Sequence, residues 1–239
     1  MSVYPSAVQA LYREQPVNVL FLDSDPGAAA RALCDVHTAS AVRHAAQLLS
    51  NAWHSVCNPQ YQPLEEAEEL PQAFRHWTRP PEPVKPEGPL ACPDPLYRDP
   101  ISYVLGYWLL WGQRIMNYEH RDHPHTIWAS SSTPQYKWVF EYGVAACDEH
   151  RKRYGKPHTL EPVLWTLELP PAGMPADEFV EPPAAMPEYC VQVTEDGYVD
   201  AVASYRNYYV KEKQALLKWT GREHPDWLLK KGDLYVLAE

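Results

Sequence analysis

Two histidines, His37 and His44, lie seven residues apart in the chain, and Arg43 directly precedes the second. Seven residues make about two turns of an α-helix, so both imidazoles fall on the same helical face. Such a pair can act as acid and base, or bind a metal ion. Leu33 and Leu48 share that face, so two hydrogen-bonded core histidines are the alternative interpretation.

A second group of titratable side chains precedes Trp128, and it comprises His120, Asp122, His123 and His125. Imidazole and carboxylate groups suit zinc or iron, but this spacing matches no tight ligand motif such as HExxH. We therefore predict no metal at these residues, and assign His123 and Trp128 to substrate contacts. The chain contains no GxGxxG, Walker or GxSxG motif, so no other cofactor is predicted.

Cations alternate with aromatic residues in two later stretches of the chain. They are Arg153, Tyr154, Lys156 and His158 in the first stretch, and Tyr205, Arg206, Tyr209 and Lys213 in the second. Aromatic rings stack on nucleic acid bases while Lys and Arg hold phosphates, which predicts a local groove for DNA. The alternatives are cations attracted to a helix C-terminus in the first stretch and a packed aromatic stripe in the second.

The elements that must position these residues are predicted to be mainly α-helical, with minor short strands. The predicted helices run from Asp25 to about Ser50, over residues 101–118, from Thr133 to Tyr154, briefly after Thr159, and over residues 200–219. Proline after Asp25, Gly155 and Gly221 are the start and stop signals that set these bounds. Residues 17–22 and 233–238 are predicted strands because both are short, apolar and rich in branched or aromatic side chains.

The chain has 25 prolines, and two stretches hold many of them. Residues 58–100 contain the run RPPEPVKPEGP, which predicts an extended connector or surface insertion, because proline fixes φ and removes a backbone donor. Residues 169–187 are predicted to be a second proline-rich loop. We predict one helical domain over residues 1–239 that carries the 58–100 insertion.

Composition limits the partners and the compartment of the protein. The net charge is −10, which does not fit a strong non-specific DNA scanner, although a local basic groove remains compatible with it. The 5 cysteines are scattered and form no CxxC, so we predict a reducing, cytoplasmic location without a disulfide framework. No signal peptide or apolar stretch long enough to span a bilayer is recognisable, so no membrane partner is predicted.

Three blocks of the sequence resemble a group of uncharacterised phage and giant-virus proteins. They are residues 21–50, which contain FLDSDP and CDVH; residues 123–158, which contain HPHTIW and RYGKPH; and residues 185–219, which contain YRNYY. The first two blocks are also distantly similar to the phage pyrimidine-dimer DNA glycosylase of the endonuclease V type. Its L-x-D-x-H pattern is matched by Leu33, Asp35 and His37, and its arginine by Arg43.

This resemblance implies a compact, all-α, DNA-base-acting enzyme with Asp35, His37, Arg43 and His44 in its active site. The position of the family's catalytic glutamate is occupied by His44. Two reactions on a pyrimidine base stay open, namely excision of the base and a transfer to its 5-substituent from a small co-substrate. The alternative class is a non-catalytic phage accessory or binding protein that keeps the scaffold.

Overall fold

Two long helices that pack against each other form the centre of the structure, a computed structural model that describes residues 17–57, 115–116, 119–171 and 173–238. In chain order its elements are α1 (Pro26–Ala32), α2 (Asp35–Cys57), α3 (Pro124–Ser131), α4 (Thr133–Tyr154), α5 (Glu161–Thr166), β1 (Gln192–Val193), β2 (Val199–Asp200), α6 (Ala201–Glu212), β3 (Leu228–Lys231) and β4 (Leu234–Leu237). Both β1–β2 and β3–β4 are antiparallel pairs. The prediction of a mainly α-helical fold with minor short strands is confirmed.

The contact between α2 and α4 is close because a glycine lies at the crossing. A Cβ added to Gly143 would stand 2.7 Å from the Cβ of Ala45 and 2.9 Å from a methyl carbon of Leu164. Near the crossing, the buried Trp53 donates its indole N–H to the Tyr136 hydroxyl at 3.0 Å. Any larger residue at position 143 would push the two helices apart.

The predicted first helix is interrupted once. Asp25 caps α1 as predicted, since its carboxylate accepts from the amide of Ala28, but the chain turns extended at Leu33 before α2 begins. The break is stabilised by side chains that take up the released backbone groups. Arg153 donates to the Leu33 carbonyl at 2.7 Å, and the Cys34 amide donates to the Tyr209 hydroxyl at 2.8 Å.

The later helices begin close to their predicted positions, but one of them ends earlier. α4 ends at Gly155, which has the left-handed φ of 69° that favours glycine, although its N-cap is Ser132 rather than Thr133. Asp200 caps α6 as predicted. The prediction of helix as far as residue 219 is wrong, because a short 3₁₀ turn follows and the Gln214 side chain bonds the backbone N–H and C=O of Tyr235 in β4.

The predicted strand over residues 17–22, called the core segment below, is wrong. The segment is largely buried and apolar as expected, but its backbone pairs with side chains instead of a neighbouring strand. The amide of Val19 donates to Nδ1 of His125 at 2.9 Å, and Nε of Arg206 donates to the Leu22 carbonyl at 2.9 Å. Long polar side chains from helices therefore satisfy the backbone groups that a sheet would have satisfied.

Two predicted regions fall outside the described residues. The insertion predicted at 58–100 lies wholly outside them, and of the helix predicted at 101–118 only residues 115 and 116 are described, neither of them helical. Residues 169–187 form the predicted loop without regular secondary structure over their described part. Across the described ranges, no helix combines the length and the apolar character needed to cross a membrane.

Candidate functional site

A pocket of about 150 Å³ opens between α2, the core segment and the end of α6. We call it the α2–α6 pocket. Its walls are formed by Asn18, Leu20, His37, Ser40, Ala41, Arg43, His44, Tyr142, Tyr208, Glu212, Lys213, Ala215 and Leu216. Of the residues predicted from sequence to form a site, this pocket brings together His37, Arg43, His44 and Lys213.

His37 presents one ring nitrogen to the pocket and holds the other against the core. Its Nδ1 lies 2.8 Å from the hydroxyl of Tyr209 and 3.3 Å from Sγ of Cys34. The Cys34 amide donates to that hydroxyl, which leaves the hydroxyl proton available to Nδ1. We assign it there, and this assignment places the proton of His37 on Nε2. Nε2 has no hydrogen-bond partner among the described residues.

The imidazole of His37 is neutral in the folded protein. Burial lowers the pKa of His37 to about 3, and the nearby charge of Lys213 lowers it further in the same direction. A neutral imidazole with its proton on Nε2 is a hydrogen-bond donor toward a ligand, not a charged group. His37 can thus polarise a carbonyl oxygen or stabilise a developing negative charge without losing a proton first.

His44 has both ring nitrogens occupied. Nδ1 donates to the carbonyl of Asn18 at 3.0 Å, and Nε2 accepts from a guanidinium nitrogen of Arg43 at 3.0 Å. Burial lowers the pKa of His44 to about 3, with the charge of Arg43 contributing in the same direction. The geometry gives His44 the task of fixing the core segment and orienting Arg43 at the edge of the pocket.

Lys213 brings a positive charge to the pocket on a mostly buried residue. Its side chain is 6% exposed, which makes it the one buried residue among the described lysines. The ammonium lies 4.8 Å from the ring centroid of Tyr208, a cation–π contact. No carboxylate of the described residues lies within 4 Å of it. A cation without an ionic partner at the wall of a pocket is available to an anionic or polar ligand.

Arg43 differs from the other described arginines because it also lacks a carboxylate partner. Within the described ranges, the remaining arginines each have a carboxylate within 4 Å: Arg31, Arg121, Arg151, Arg153, Arg206 and Arg222. Arg43 has none, is exposed and lines the pocket. Both cations of the pocket are therefore available to an anionic or strongly polar ligand.

Sequence reasoning did not find Glu212, the carboxylate of this pocket. The carboxylate accepts a hydrogen bond from the Tyr189 hydroxyl at 2.6 Å and stays exposed at the rim. α6 ends at this residue, where a negative charge opposes the helix macrodipole. This unfavourable position is the signal that could have identified Glu212. It could not be seen in the sequence because the helix was predicted to continue to residue 219.

Three of the predicted residues join helices instead of lining the pocket. Arg153 is buried and bonds the carboxylate of Glu149 as well as the Leu33 carbonyl. Asp35 accepts from the backbone amide and the hydroxyl of Thr220 at 2.8 and 2.7 Å. The Tyr154 hydroxyl donates to the Asp35 carbonyl at 2.8 Å. Together they tie the start of α2 to the end of α4.

Four others fasten loops to the core. The indole of Trp128 donates to the carbonyl of Val180 at 2.7 Å, and the His123 side chain caps α3. The hydroxyl of Tyr205 lies 2.9 Å from the Pro183 carbonyl. Arg206 bonds the core segment and stacks over Trp227, its guanidinium carbon 5.0 Å from the ring centroid.

The remaining predicted contacts lie near the end of α4 and behind the pocket. Lys156 is exposed, and Nδ1 of His158 accepts from the amide of Leu160 at 3.1 Å. Tyr209 lies behind His37 and is fully buried. Within the described ranges, no three His, Cys, Asp or Glu side chains are grouped so as to hold a metal ion, and this holds also for the residues around His123.

Comparison with protein-family models, curated proteins and solved structures yields no match to this chain. The fold and the pocket define a mainly α-helical protein with a partly enclosed, mostly apolar pocket that carries two cations without ion-pair partners. The similarity to the pyrimidine-dimer glycosylase and to the phage and giant-virus proteins stays a prediction.

Proposed function

We propose that the protein is an enzyme that acts on a pyrimidine base in the α2–α6 pocket by breaking its N-glycosidic bond. The observation that carries this proposal is a pair of hydrogen-bond donors that have no acceptor among the described residues. They are Nε2 of His37 and the ammonium of Lys213, and both belong to residues that line a cavity of about 150 Å³. A cavity of that volume holds one benzene molecule in another protein. A pyrimidine is a ring of similar size, with carbonyl oxygens that accept hydrogen bonds.

The donors suit the charge that develops when the bond breaks. The pair of electrons from the bond between the sugar C1′ and ring N1 moves onto the base, where the adjacent carbonyl oxygen shares the negative charge. A neutral imidazole N–H and an ammonium aimed at that oxygen stabilise the transition state more than the substrate. His37 and Lys213 are the groups of this pocket with those properties.

In this proposal Glu212 takes the role of the catalytic glutamate that the glycosylase family has where this chain has His44. The sugar becomes cation-like as the base leaves, and a carboxylate at the mouth of the pocket stabilises that charge. It also takes a proton from the attacking water, whose oxygen forms the new bond to C1′. The proton then passes to the released base, so the products are a free pyrimidine and a sugar with a hydroxyl at C1′.

The experiment is nucleoside mass spectrometry on pyrimidine nucleosides, nucleotides and DNA incubated with the protein, including ultraviolet-damaged and 5-hydroxymethyl-pyrimidine DNA. His37→Asn keeps a polar group near the Tyr209 hydroxyl but removes the Nε2 donor, and should lower the rate about 100-fold or more. Glu212→Gln should lower it by a similar factor. His224→Asn and Glu195→Gln, both outside the pocket, are the matched controls and should leave the rate unchanged.

Release of a free pyrimidine that depends on His37 and Glu212 supports the proposal. A new nucleoside mass instead of a free base would replace excision by a transfer to the base. If pyrimidines bind but none is altered, the protein is the non-catalytic binding protein of the alternative class. That alternative is favoured by one observation, because both nitrogens of His44 are occupied and only one of the two predicted proton carriers is available.

A further inference from the structure

We infer that the substrate is a free pyrimidine nucleotide, with its phosphate on Arg43 at the mouth of the pocket, and not a pyrimidine within DNA or RNA. The inference rests on the proposed function, since it takes the ring of the pyrimidine to be held by His37 and Lys213. It adds that the base is part of a free nucleotide and not part of a nucleic acid strand. Three features of the described residues support it.

The first feature is the state of Arg43. One of its N–H groups bonds Nε2 of His44 at 3.0 Å, which leaves most of the five guanidinium donors for a ligand. The guanidinium is exposed and has no carboxylate within 4 Å, unlike every other arginine that the structure describes. A planar guanidinium fixed by a neighbouring imidazole is suited to bidentate contact with one phosphate.

The second feature is the small number of cations among the described residues that line the pocket. Binding to a nucleic acid strand draws its affinity from several phosphate contacts. Arg153 and Arg206, the arginines predicted to make such contacts, are instead engaged with carboxylates and backbone carbonyls inside the protein. Among the described residues, the pocket walls carry only Arg43 and Lys213 as cations, which is enough for a single phosphate and a carbonyl group.

The third feature is the neighbourhood of the mouth. Glu212 stands exposed at the rim, and the whole chain carries a net charge of −10. A strand that continued in both directions from the pocket would bring further phosphates toward this negative protein. A nucleotide with one phosphate places that phosphate on Arg43 and brings no further negative charge to the protein.

The experiment measures affinities for uridine, uridine 5′-monophosphate, a short oligouridylate and inorganic phosphate by titration calorimetry, at two salt concentrations. The monophosphate should bind about tenfold or more tightly than the nucleoside, because a charge-assisted contact adds that much. Arg43→Gln removes the guanidinium and should abolish the difference between the affinities for the monophosphate and for uridine. Arg121→Gln removes an exposed arginine outside the pocket and should change neither affinity.

Each other outcome has a distinct meaning. Equal affinities for uridine and its monophosphate would overturn the inference while the proposed function stands. Tighter binding of the oligouridylate with a steep salt dependence would overturn it in favour of a polymer substrate. Binding of inorganic phosphate alone, with no affinity for any pyrimidine, would remove the proposed function as well. The thermal unfolding of Arg43→Gln, measured beside these titrations, shows whether the variant is folded.

Discussion

Replacing Lys213 by methionine should make the protein more stable and weaken its affinity for a pyrimidine nucleotide. Lys213 is 6% exposed and no carboxylate of the described part of the chain lies within 4 Å of its ammonium. Most of the Lys213 side chain is removed from water and its ammonium has no ion pair in compensation, so the folded protein without ligand carries part of the cost of desolvation. Methionine matches the length of the lysine stem and removes the charge.

The size of the effect follows from two opposing contributions. Replacing buried ionic groups by apolar residues of similar volume is neutral or stabilises proteins by about 1–4 kcal/mol. The cation–π contact of the ammonium with Tyr208, at 4.8 Å from the ring centroid, is lost and costs about 0.5–2 kcal/mol. The free energy of unfolding should therefore rise by about 1 kcal/mol, which raises Tm by about 2–4 °C in a chain of this size.

Urea denaturation and thermal unfolding of Lys213→Met measure this change, with Lys218→Met as the control. Lys218 is exposed and lies outside the pocket, so its replacement should change the free energy of unfolding by less than about 0.5 kcal/mol. Titration with uridine 5′-monophosphate should show weaker binding in the Lys213 variant only. A loss of more than about 1 kcal/mol of stability in Lys213→Met would refute the reasoning, because it would mean that the ammonium stabilises the fold.

Two further predictions concern the buried histidines. The folded pKa values of His37, His44 and His125 are about 3, 3 and 4, below the ordinary 6.5, so unfolding takes up protons below pH 6.5 and the free energy of unfolding falls as the pH drops from 6.5 to 5. Urea unfolding should give an uptake that rises from about 1.5 protons at pH 6.5 to about three at pH 5, and an uptake of less than about one at pH 5 would contradict the neutral assignment. Tyr209→Phe removes the proton that Nδ1 of His37 accepts, so ¹⁵N NMR should show that His37 no longer holds its proton on Nε2 alone, whereas an unchanged tautomer would exclude Tyr209 as the positioning group.

Local sequence signals correctly predicted three helix ends, those at Asp25, Gly155 and Asp200, because each is decided by neighbours in the chain. Asp25 and Asp200 cap α1 and α6 through their own side chains. Gly155 ends α4 with a positive φ that other residues adopt only with strain. These interactions span three or four residues, so their geometry is implied by the sequence itself.

The core segment shows where local signals fail. An apolar run of that length indicates a buried strand because its backbone groups need partners away from water. The burial was predicted, but the partners were not, since His125 and Arg206 lie more than 100 residues away along the chain. The imidazole and guanidinium groups that looked like candidates for chemistry are occupied in holding this segment.

The candidate site was also predictable only as far as local spacing determines it. The spacing of His37 and His44 correctly placed both on one face of α2, next to the pocket. Their different hydrogen-bond partners could not be predicted from that spacing. His37 bonds Tyr209, 172 residues later, while His44 bonds its neighbour Arg43 and the carbonyl of Asn18. One histidine keeps a free donor and the other does not.

The cations differ in their partners only once the chain is folded. In the sequence, Arg153, Arg206 and Lys213 are candidates for contacts with a phosphate, and Arg43 is a candidate for the active site. In the fold, Arg153 and Arg206 are occupied by carboxylates and backbone carbonyls, while Arg43 and Lys213 remain unpaired and line one pocket with His37. A charge that the fold leaves without a partner is the strongest indication of where a ligand binds, and only long-range contacts reveal which charges those are.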